Sequence, residues 1–224
     1  MLLEAVFWDL DGTLIDSEPL WHEGELKLAL ANGGYWDEDL GWQYSGTPVP
    51  DIALRMIERG CTLSVEQIDV QVKDYVYRAE VAHLPWIDGV RDVLHSLKDA
   101  DVPCMLVTTS QRRMAENVMK HASGLFAGYV CGDDPYEHKP NAAPYLAAAA
   151  KLGIAPEHMS RCVVMEDSMS GLRAGAASGA TTIAQTGWIR SDTSVGPQFA
   201  SIDSYEGIDA AALDGFVRQR LETA

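Results

Sequence analysis

The fold follows from the stretch Leu2-Leu3-Glu4-Ala5-Val6-Phe7-Trp8-Asp9-Leu10-Asp11-Gly12-Thr13. The mainly apolar run up to Trp8 predicts a buried strand, and Asp9 marks the point where that strand ends. Beyond this stretch, residues 16–85 show helical periodicity throughout, whereas from Trp86 onward strands alternate with helices. Such alternation is typical of a parallel sheet with helices on both faces. The sequence therefore predicts a three-layer α/β core interrupted by a helical insertion.

Start and stop signals give the bounds of the predicted elements. Pro19 lies in the first turn of a helix that Asp16 or Ser17 would cap, and Ser64-Val65-Glu66-Gln67 has the form of a capping box. After the insertion, the predicted strands are Val102–Thr109, Tyr129–Cys131, Cys162–Met165 and Thr181–Ala184, and a closing helix covers 205–221. We expect a discontinuous, Rossmann-like core of residues 1–15 and 86–224, with a helical cap domain at 16–85.

The composition argues against two classes of partner. The chain has 224 residues, with 17 Lys plus Arg against 33 Asp plus Glu and a formal net charge of -16. Proteins that bind nucleic acid or anionic membranes should carry a basic excess, so we expect neither partner. The first residues do not resemble a signal peptide, and no apolar run could span a bilayer. We expect a monomeric, cytoplasmic protein whose thiols, without CxxC spacing, are buried at Cys104, Cys131 and Cys162.

Residues suited to catalysis follow the predicted strands. In open α/β sheets, ligands bind beyond the carboxyl ends of the strands. The candidates there are Asp9 and Asp11 after the first strand, Thr108 after the second, Glu166 and Asp167 after the fourth, and Lys139 before a helix. Crowded carboxylates raise one another's pKa, and a hard divalent cation with oxygen ligands relieves that repulsion. These residues predict a Mg²⁺ site with Asp9, Glu166 and Asp167 as candidate ligands.

The same residues suit phosphoryl transfer. Beside a cation, an aspartate such as Asp9 can attack phosphorus and form an aspartyl-phosphate. Thr108 can hold phosphate oxygens, and Lys139 can offset negative charge on both the nucleophile and the phosphate. Asp11, two residues after Asp9, is the candidate to protonate the leaving oxygen and later to take a proton from water. A blander interpretation is that Thr108 or Ser110 caps the following helix.

In this order, the four elements Asp9-x-Asp11-Gly12-Thr13, Thr108, Lys139-Pro140 and Glu166-Asp167-Ser-x-x-Gly171 resemble the motifs of the haloacid dehalogenase superfamily. The likeness covers nearly the whole chain and is strongest to the sugar-phosphate phosphatase and β-phosphoglucomutase branch. It implies that Asp9 is the nucleophile and Asp11 the general acid/base, and that Thr108 and Lys139 stabilise the phosphate and the intermediate. It also implies that Asp9, the Asp11 carbonyl and Asp167 hold Mg²⁺, with Glu166 beside them.

The resemblance implies a phosphoric monoester hydrolase: a magnesium-dependent phosphatase of a small phosphorylated metabolite, in particular a sugar phosphate. Two departures from the family pattern stand out. Ala142 replaces a frequent proline after Lys139-Pro140, which we expect to alter only the start of the next helix. The cap segment Gly46-Thr47-Pro48-Val49 lacks the arginine that β-phosphoglucomutase carries in its cap loop, which weighs against a phosphomutase.

A phosphomutase like β-phosphoglucomutase stays as one alternative on the sequence, and a non-catalytic protein stays as another. A signalling receiver domain or another non-catalytic phosphate-binding protein could use an aspartate, a hydroxyl and a lysine on a parallel sheet. Receivers, however, have no helical insertion like residues 16–85. A dinucleotide-dependent enzyme is disfavoured, because no G-x-G-x-x-G follows the first strand.

Overall fold

Strand β1 (Ala5–Trp8) lies in the middle of a parallel sheet. The other strands are β2 (Cys104–Val107), β3 (Gly128–Val130), β4 (Cys162–Glu166), β5 (Thr181–Gln185) and β6 (Ala200–Ile202). In the computed structural model, which describes residues 1–188 and 192–223, they have the order β3-β2-β1-β4-β5-β6. Every pairing between neighbours is parallel. All four residues of β1 are buried, as expected for a strand covered on both faces.

The chain divides into two compact units, one formed by Met1–Asp16 with Trp86–Ala224 and the other by Ser17–Pro85. The second unit is helical and contains α1 (Glu18–Ala31), α2 (Glu38–Gln43), α3 (Val49–Glu58) and α4 (Val65–Ala82). Helices α1 and α3 both pack on α4, around a core that includes Trp36, Met56 and Ile68. Asp16 belongs to the unit with the sheet, one residue away from the boundary expected from the sequence.

Helices cover both faces of the sheet in the first unit. They are α5 (Val90–Asp99), α6 (Arg112–His121), α7 (Ala143–Lys151), α8 (Met169–Ala177) and α9 (Ala210–Thr223). Helices α7 and α8 pack on each other and on the sheet, and so do α5 and α9. Side chains of alternating strand positions, such as Phe7, Val107 and Val164, form a core with Tyr145 of α7. The predicted three-layer, Rossmann-like α/β fold is confirmed.

The structure corrects the sequence predictions at three elements. The closing helix begins at Ala210 instead of residue 205, because the Asp209 carboxylate accepts a hydrogen bond from Ala212 N and so caps the helix there. Strand β6 was not predicted, and helix α2 was not predicted as a separate helix within the helical insertion. Both are very short, at three and six residues, so that neither repeats a periodic apolar pattern often enough to be recognised. The predicted capping box at Ser64 and Gln67 is confirmed.

All four cysteines are buried and free: Cys61, Cys104, Cys131 and Cys162. Burial raises the pKa of the Cys104 and Cys162 thiols to about 12, which keeps both protonated. Within residues 1–188 and 192–223, every helix is too short or too polar to cross a membrane.

Asp214 ties the last helix to the segment that leads into β1. Its Oδ1 accepts hydrogen bonds from Leu2 N at 2.5 Å and Leu3 N at 2.8 Å, and its Oδ2 accepts one from Arg218 Nε at 2.7 Å. Burial raises the pKa of this carboxyl, but the hydrogen bonds from Leu3, Arg218 and Leu2 outweigh burial and hold the pKa below its ordinary value. The ionised form of Asp214 therefore stabilises the folded chain.

We expect Asp214→Ala to lower the free energy of unfolding by about 2 kcal/mol, because two backbone donors lose a charged acceptor. Arg218→Ala removes only an exposed ion pair and should cost about 0.5 kcal/mol or less. Because the folded-state pKa is depressed, the contribution of Asp214 is present above about pH 4 and is lost as the pH falls further. Urea titrations at several pH values test this. A difference in the free energy of unfolding between wild type and Asp214→Ala that stays constant at acidic pH would contradict this expectation.

Candidate active site

The register of the sheet aligns the carboxyl ends of β1, β2 and β4. Trp8 of β1 pairs with Leu106 of β2 on one side and with Met165 of β4 on the other. Asp9 N then donates to Met165 O at 3.0 Å, so that Asp9 lies next to Glu166 at the carboxyl edge of the sheet. Between β1 and β4 the strand order changes direction, which is where parallel sheets open a crevice for ligands.

Lys139 connects the ends of three strands. Its Nζ donates to Asp9 Oδ1 at 2.5 Å, Glu166 Oε1 at 2.6 Å and Val107 O at 2.9 Å. The side chain is only 4% exposed, so the ammonium has exchanged water for three protein acceptors. Burial lowers the pKa of Lys139, but the charges of Asp9 and Glu166 outweigh burial and raise the pKa well above its usual value. Lys139 is therefore a fixed positive charge beside Asp9.

Glu166 is surrounded by hydrogen-bond donors. Its Oε1 accepts from Lys139 Nζ and from Tyr145 Oη at 2.9 Å. Its Oε2 accepts from the backbone N of Asp167 and of Ser168, both at 3.1 Å, and from Ser168 Oγ at 3.0 Å. Five donors fill the capacity of a carboxylate, which has about four lone-pair sites. Glu166 thus holds Lys139 and the start of α8 in place.

Two motif glycines make room for these carboxylates. A Cβ at Gly171 would lie 1.7 Å from Glu166 Oε1, and a Cβ at Gly12 would lie 2.3 Å from Asp167 Oδ2. Gly12 also has φ +78°, in the left-handed region that favours glycine. Gly12 N donates to Ile15 O at 2.8 Å, which holds these two residues of the loop together. Glycine is therefore required at both positions by the close approach of an acidic side chain.

Asp9, Glu166 and Asp167 are all buried and offer carboxylate oxygens within 4.8 Å of one another. Burial and the charge of Glu166, partly offset by Lys139, raise the pKa of Asp9 to about 8. Burial and the charge of Asp9 raise the pKa of Asp167 well above its ordinary value. Three carboxylates and one ammonium leave a formal excess of two negative charges. A hard divalent cation such as Mg²⁺ fits both this charge and the all-oxygen donor set.

Asp11 and Thr108 are joined through Ser110. The Asp11 Oδ2 accepts from Ser110 Oγ, and Thr108 Oγ1 accepts from Ser110 N, both at 2.9 Å. A hydroxyl that accepts in this way can still donate its own proton, for example to a phosphate oxygen. Gln111 holds the N-cap position of α6, so neither Thr108 nor Ser110 caps that helix. Among the described residues, the group of close carboxylates comprises Asp9, Glu166 and Asp167, and Asp11 lies outside it.

Sequence reasoning missed two tyrosines at this edge, and it named Thr13 only as part of the first motif, without its contact. Tyr145 donates to Glu166, Thr13 Oγ1 donates to Asp167 Oδ1 at 3.3 Å, and Tyr205 Oη donates to Thr13 O at 2.7 Å. Both tyrosines are buried, and a buried phenol needs a hydrogen-bond partner. Nothing in the periodicity around Tyr145 or Tyr205 indicates which partner each phenol finds, since both partners are distant in sequence.

Comparisons with known proteins give a family for the chain and several similar phosphatases. A family model described as haloacid dehalogenase-like hydrolase matches residues 3–179. A phosphorylated carbohydrates phosphatase of Thermotoga maritima is 30% identical over 180 residues, which cover 79% of this chain and 82% of that protein. A validoxylamine A 7'-phosphate phosphatase of Streptomyces hygroscopicus subsp. limoneus is 27% identical over 180 residues, 80% of this chain and 83% of that protein.

A solved structure is similar over almost its whole length. CbbY from Rhodobacter sphaeroides, in complex with phosphate, superposes with a TM-score of 0.76 at 25% identity, and the match covers 95% of this chain and 99% of that one. The family model spans more than half of the chain and includes all four motifs. The resemblance predicted from the sequence is confirmed: the chain belongs to the haloacid dehalogenase-like hydrolases.

Proposed function

We propose that this protein is a Mg²⁺-dependent phosphatase that hydrolyses a small phosphorylated carbohydrate through an aspartyl-phosphate at Asp9. The observation that carries the proposal is the buried Asp9 carboxylate, with one oxygen held by Lys139 and with Glu166 and Asp167 beside it. The predicted enzyme class, a phosphoric monoester hydrolase of this family, is confirmed by the family match and by relatives named as phosphatases. The substrate class is taken from those relatives, whose names refer to a phosphorylated carbohydrate and to validoxylamine A 7'-phosphate.

Asp9 is the proposed nucleophile. Lys139 binds Asp9 Oδ1, which fixes the carboxylate and leaves Oδ2 as the oxygen that attacks phosphorus. A new bond forms between Asp9 Oδ2 and phosphorus while the bond from phosphorus to the sugar oxygen breaks. Asp9 is 8% exposed, so that few water molecules compete with the substrate for its carboxylate. Lys139 offsets the negative charge that the nucleophile and the phosphoryl group bring together.

Asp11 is the proposed general acid and base. In the first step it gives a proton to the departing sugar oxygen, and in the second it takes a proton from the water that attacks the phosphoryl group on Asp9. The Ser110 hydroxyl, which donates to Asp11 Oδ2, fixes the orientation of this carboxyl. Thr108, held by Ser110 N, is the proposed donor to a phosphate oxygen.

The proposed metal site uses Asp9, Asp167 and the Asp11 carbonyl, with Glu166 in a supporting role because its oxygens are already engaged. Mg²⁺, when bound, neutralises the carboxylates and draws negative charge from the phosphoryl group. The high pKa values of Asp9 and Asp167 support this assignment, since a bound cation would remove the repulsion that contributes to them. The helical unit at residues 17–85 is the proposed cap domain, to which we assign substrate selection.

Phosphate release from a substrate panel is the experiment that tests this function. We expect release from a few sugar or polyol phosphates with Mg²⁺, and none after a chelator has removed the metal. Nucleotides and phosphorylated glycolytic acids complete the panel. Isomeric sugar phosphates without free phosphate would indicate a phosphomutase instead. If neither product forms from any compound, the phosphatase proposal is wrong for these substrates and a binding role gains support.

Asp9→Asn should abolish turnover, because the amide cannot form the phosphorylated intermediate. We expect kcat to fall by at least about a thousandfold, as with other catalytic nucleophiles. Asp99→Asn is the matched control, since Asp99 is exposed at the end of α5 and should keep wild-type activity. Circular dichroism checks that both variants fold. Wild-type kcat in a folded Asp9→Asn protein would rule out the nucleophile assigned here.

A further inference from the structure

We propose that Tyr205 is a positioning residue for the metal-binding carboxylates: its phenol holds the Thr13 carbonyl and thereby fixes the Thr13 hydroxyl against Asp167. This inference rests on the proposed function, because it assumes a cation at Asp9 and Asp167. Tyr205 follows β6 and is separated from Thr13 by 192 positions in the sequence. It therefore adds a contact from the far end of the chain to the loop that carries Asp9 and Asp11.

The contact between Tyr205 and the loop is buried and direct. Tyr205 Oη donates to Thr13 O at 2.7 Å, and Tyr205 is 3% exposed. Its ring packs against Trp8, the last residue of β1, with 6.0 Å between ring centroids. Burial, followed by the charges of Asp167 and Asp9, raises the pKa of Tyr205 well above its usual value, so the phenol remains a donor. A buried donor has already lost its water, so leaving it without an acceptor costs its full desolvation penalty.

Thr13 transmits this contact to the carboxylates. Its backbone N donates to Leu10 O at 3.3 Å, and its carbonyl accepts from Tyr205, so both peptide groups of Thr13 are fixed. Its hydroxyl then donates to Asp167 Oδ1 at 3.3 Å, and Thr13 is fully buried. Without the phenol, the buried Thr13 carbonyl loses its hydrogen-bond donor, and the Thr13 peptide is held less firmly. The hydroxyl and Asp167 would then lose their alignment.

The segment around Tyr205 is itself held in place. Tyr205 O accepts from Ile208 N at 3.1 Å, which forms a turn before α9. On the other side, Gly89 has φ +80°, and a Cβ there would lie 3.1 Å from Tyr205 Cβ. The phenol therefore approaches the loop from a fixed backbone. This is the property that a positioning residue needs, because a mobile donor could not define the orientation of the Thr13 carbonyl.

Mg²⁺ affinity in the absence of substrate tests the inference. Isothermal titration calorimetry with MgCl₂ should show binding about tenfold weaker for Tyr205→Phe than for wild type, as for other residues that orient metal ligands. Tyr129→Phe is the matched control. Its phenol lies on edge strand β3 and contacts Arg112 and Glu116 at the surface, so its Mg²⁺ affinity should be unchanged. The melting temperature without Mg²⁺ measures any purely structural loss separately.

A double-mutant cycle tests the route through Thr13. Thr13→Val removes the hydroxyl that meets Asp167 and should by itself weaken Mg²⁺ binding. If Tyr205 acts through Thr13, the double variant should bind Mg²⁺ no more weakly than Thr13→Val alone. Additive losses would overturn this route. Unchanged affinity in Thr13→Val would also overturn it, even if Tyr205→Phe failed to fold.

The outcomes separate this inference from the proposed function. If wild type binds Mg²⁺ and Tyr205→Phe binds it equally well, the positioning role is wrong while the proposed phosphatase stands. If wild type binds no Mg²⁺, the metal site fails and the positioning role fails with it. A lower melting temperature for Tyr205→Phe with unchanged Mg²⁺ affinity would reduce Tyr205 to a structural residue and overturn the inference.

Discussion

The ammonium of Lys139 is the interaction on which the rest of the site depends. It lies between two buried carboxylates, Asp9 and Glu166, and donates a hydrogen bond to each. Its third N–H donates to the Val107 carbonyl, so all three donors are used. Removing one partner of such a buried pair leaves an uncompensated charge, which costs about 3–5 kcal/mol. The three acceptors come from three neighbouring strands. Lys139 therefore holds the ends of these three strands together and, in the proposed mechanism, orients the nucleophile Asp9.

The sequence was sufficient to predict the fold class and the residues at the sheet edge. Strand and helix patterns after Trp86 predicted the parallel sheet, and topology then required the strand-end residues to meet. Asp9, Lys139, Glu166 and Asp167 do meet, and Asp11 and Thr108 lie next to one another through Ser110. This success has a simple cause: in a parallel sheet, the position of a residue relative to its strand end determines its place in the site.

The tertiary partners of the site could not be predicted in this way. The sequence made Glu166 a candidate metal ligand, which stays a prediction. It did not show that one of the five donors around Glu166 is Tyr145 on α7, which no local pattern connects to it. Tyr205 fell inside a predicted helix and instead precedes that helix, with its phenol directed at Thr13. Such contacts are decided by which buried donor meets which acceptor after packing, so they follow from the assembled core and not from periodicity.

The central claim is that the phosphoryl group is transferred to Asp9, and trapping it there is the most direct measurement. Asp11→Asn should still be phosphorylated by p-nitrophenyl phosphate, whose leaving group needs little protonation, but should lose the phosphoryl group slowly. Borohydride reduces an acyl phosphate, so reduction followed by mass spectrometry of the peptides locates the modified aspartate. The account predicts reduction of Asp9 to homoserine, dependent on Mg²⁺. Reduction at another residue, or p-nitrophenol release in a burst with Asp9 unmodified, would contradict it.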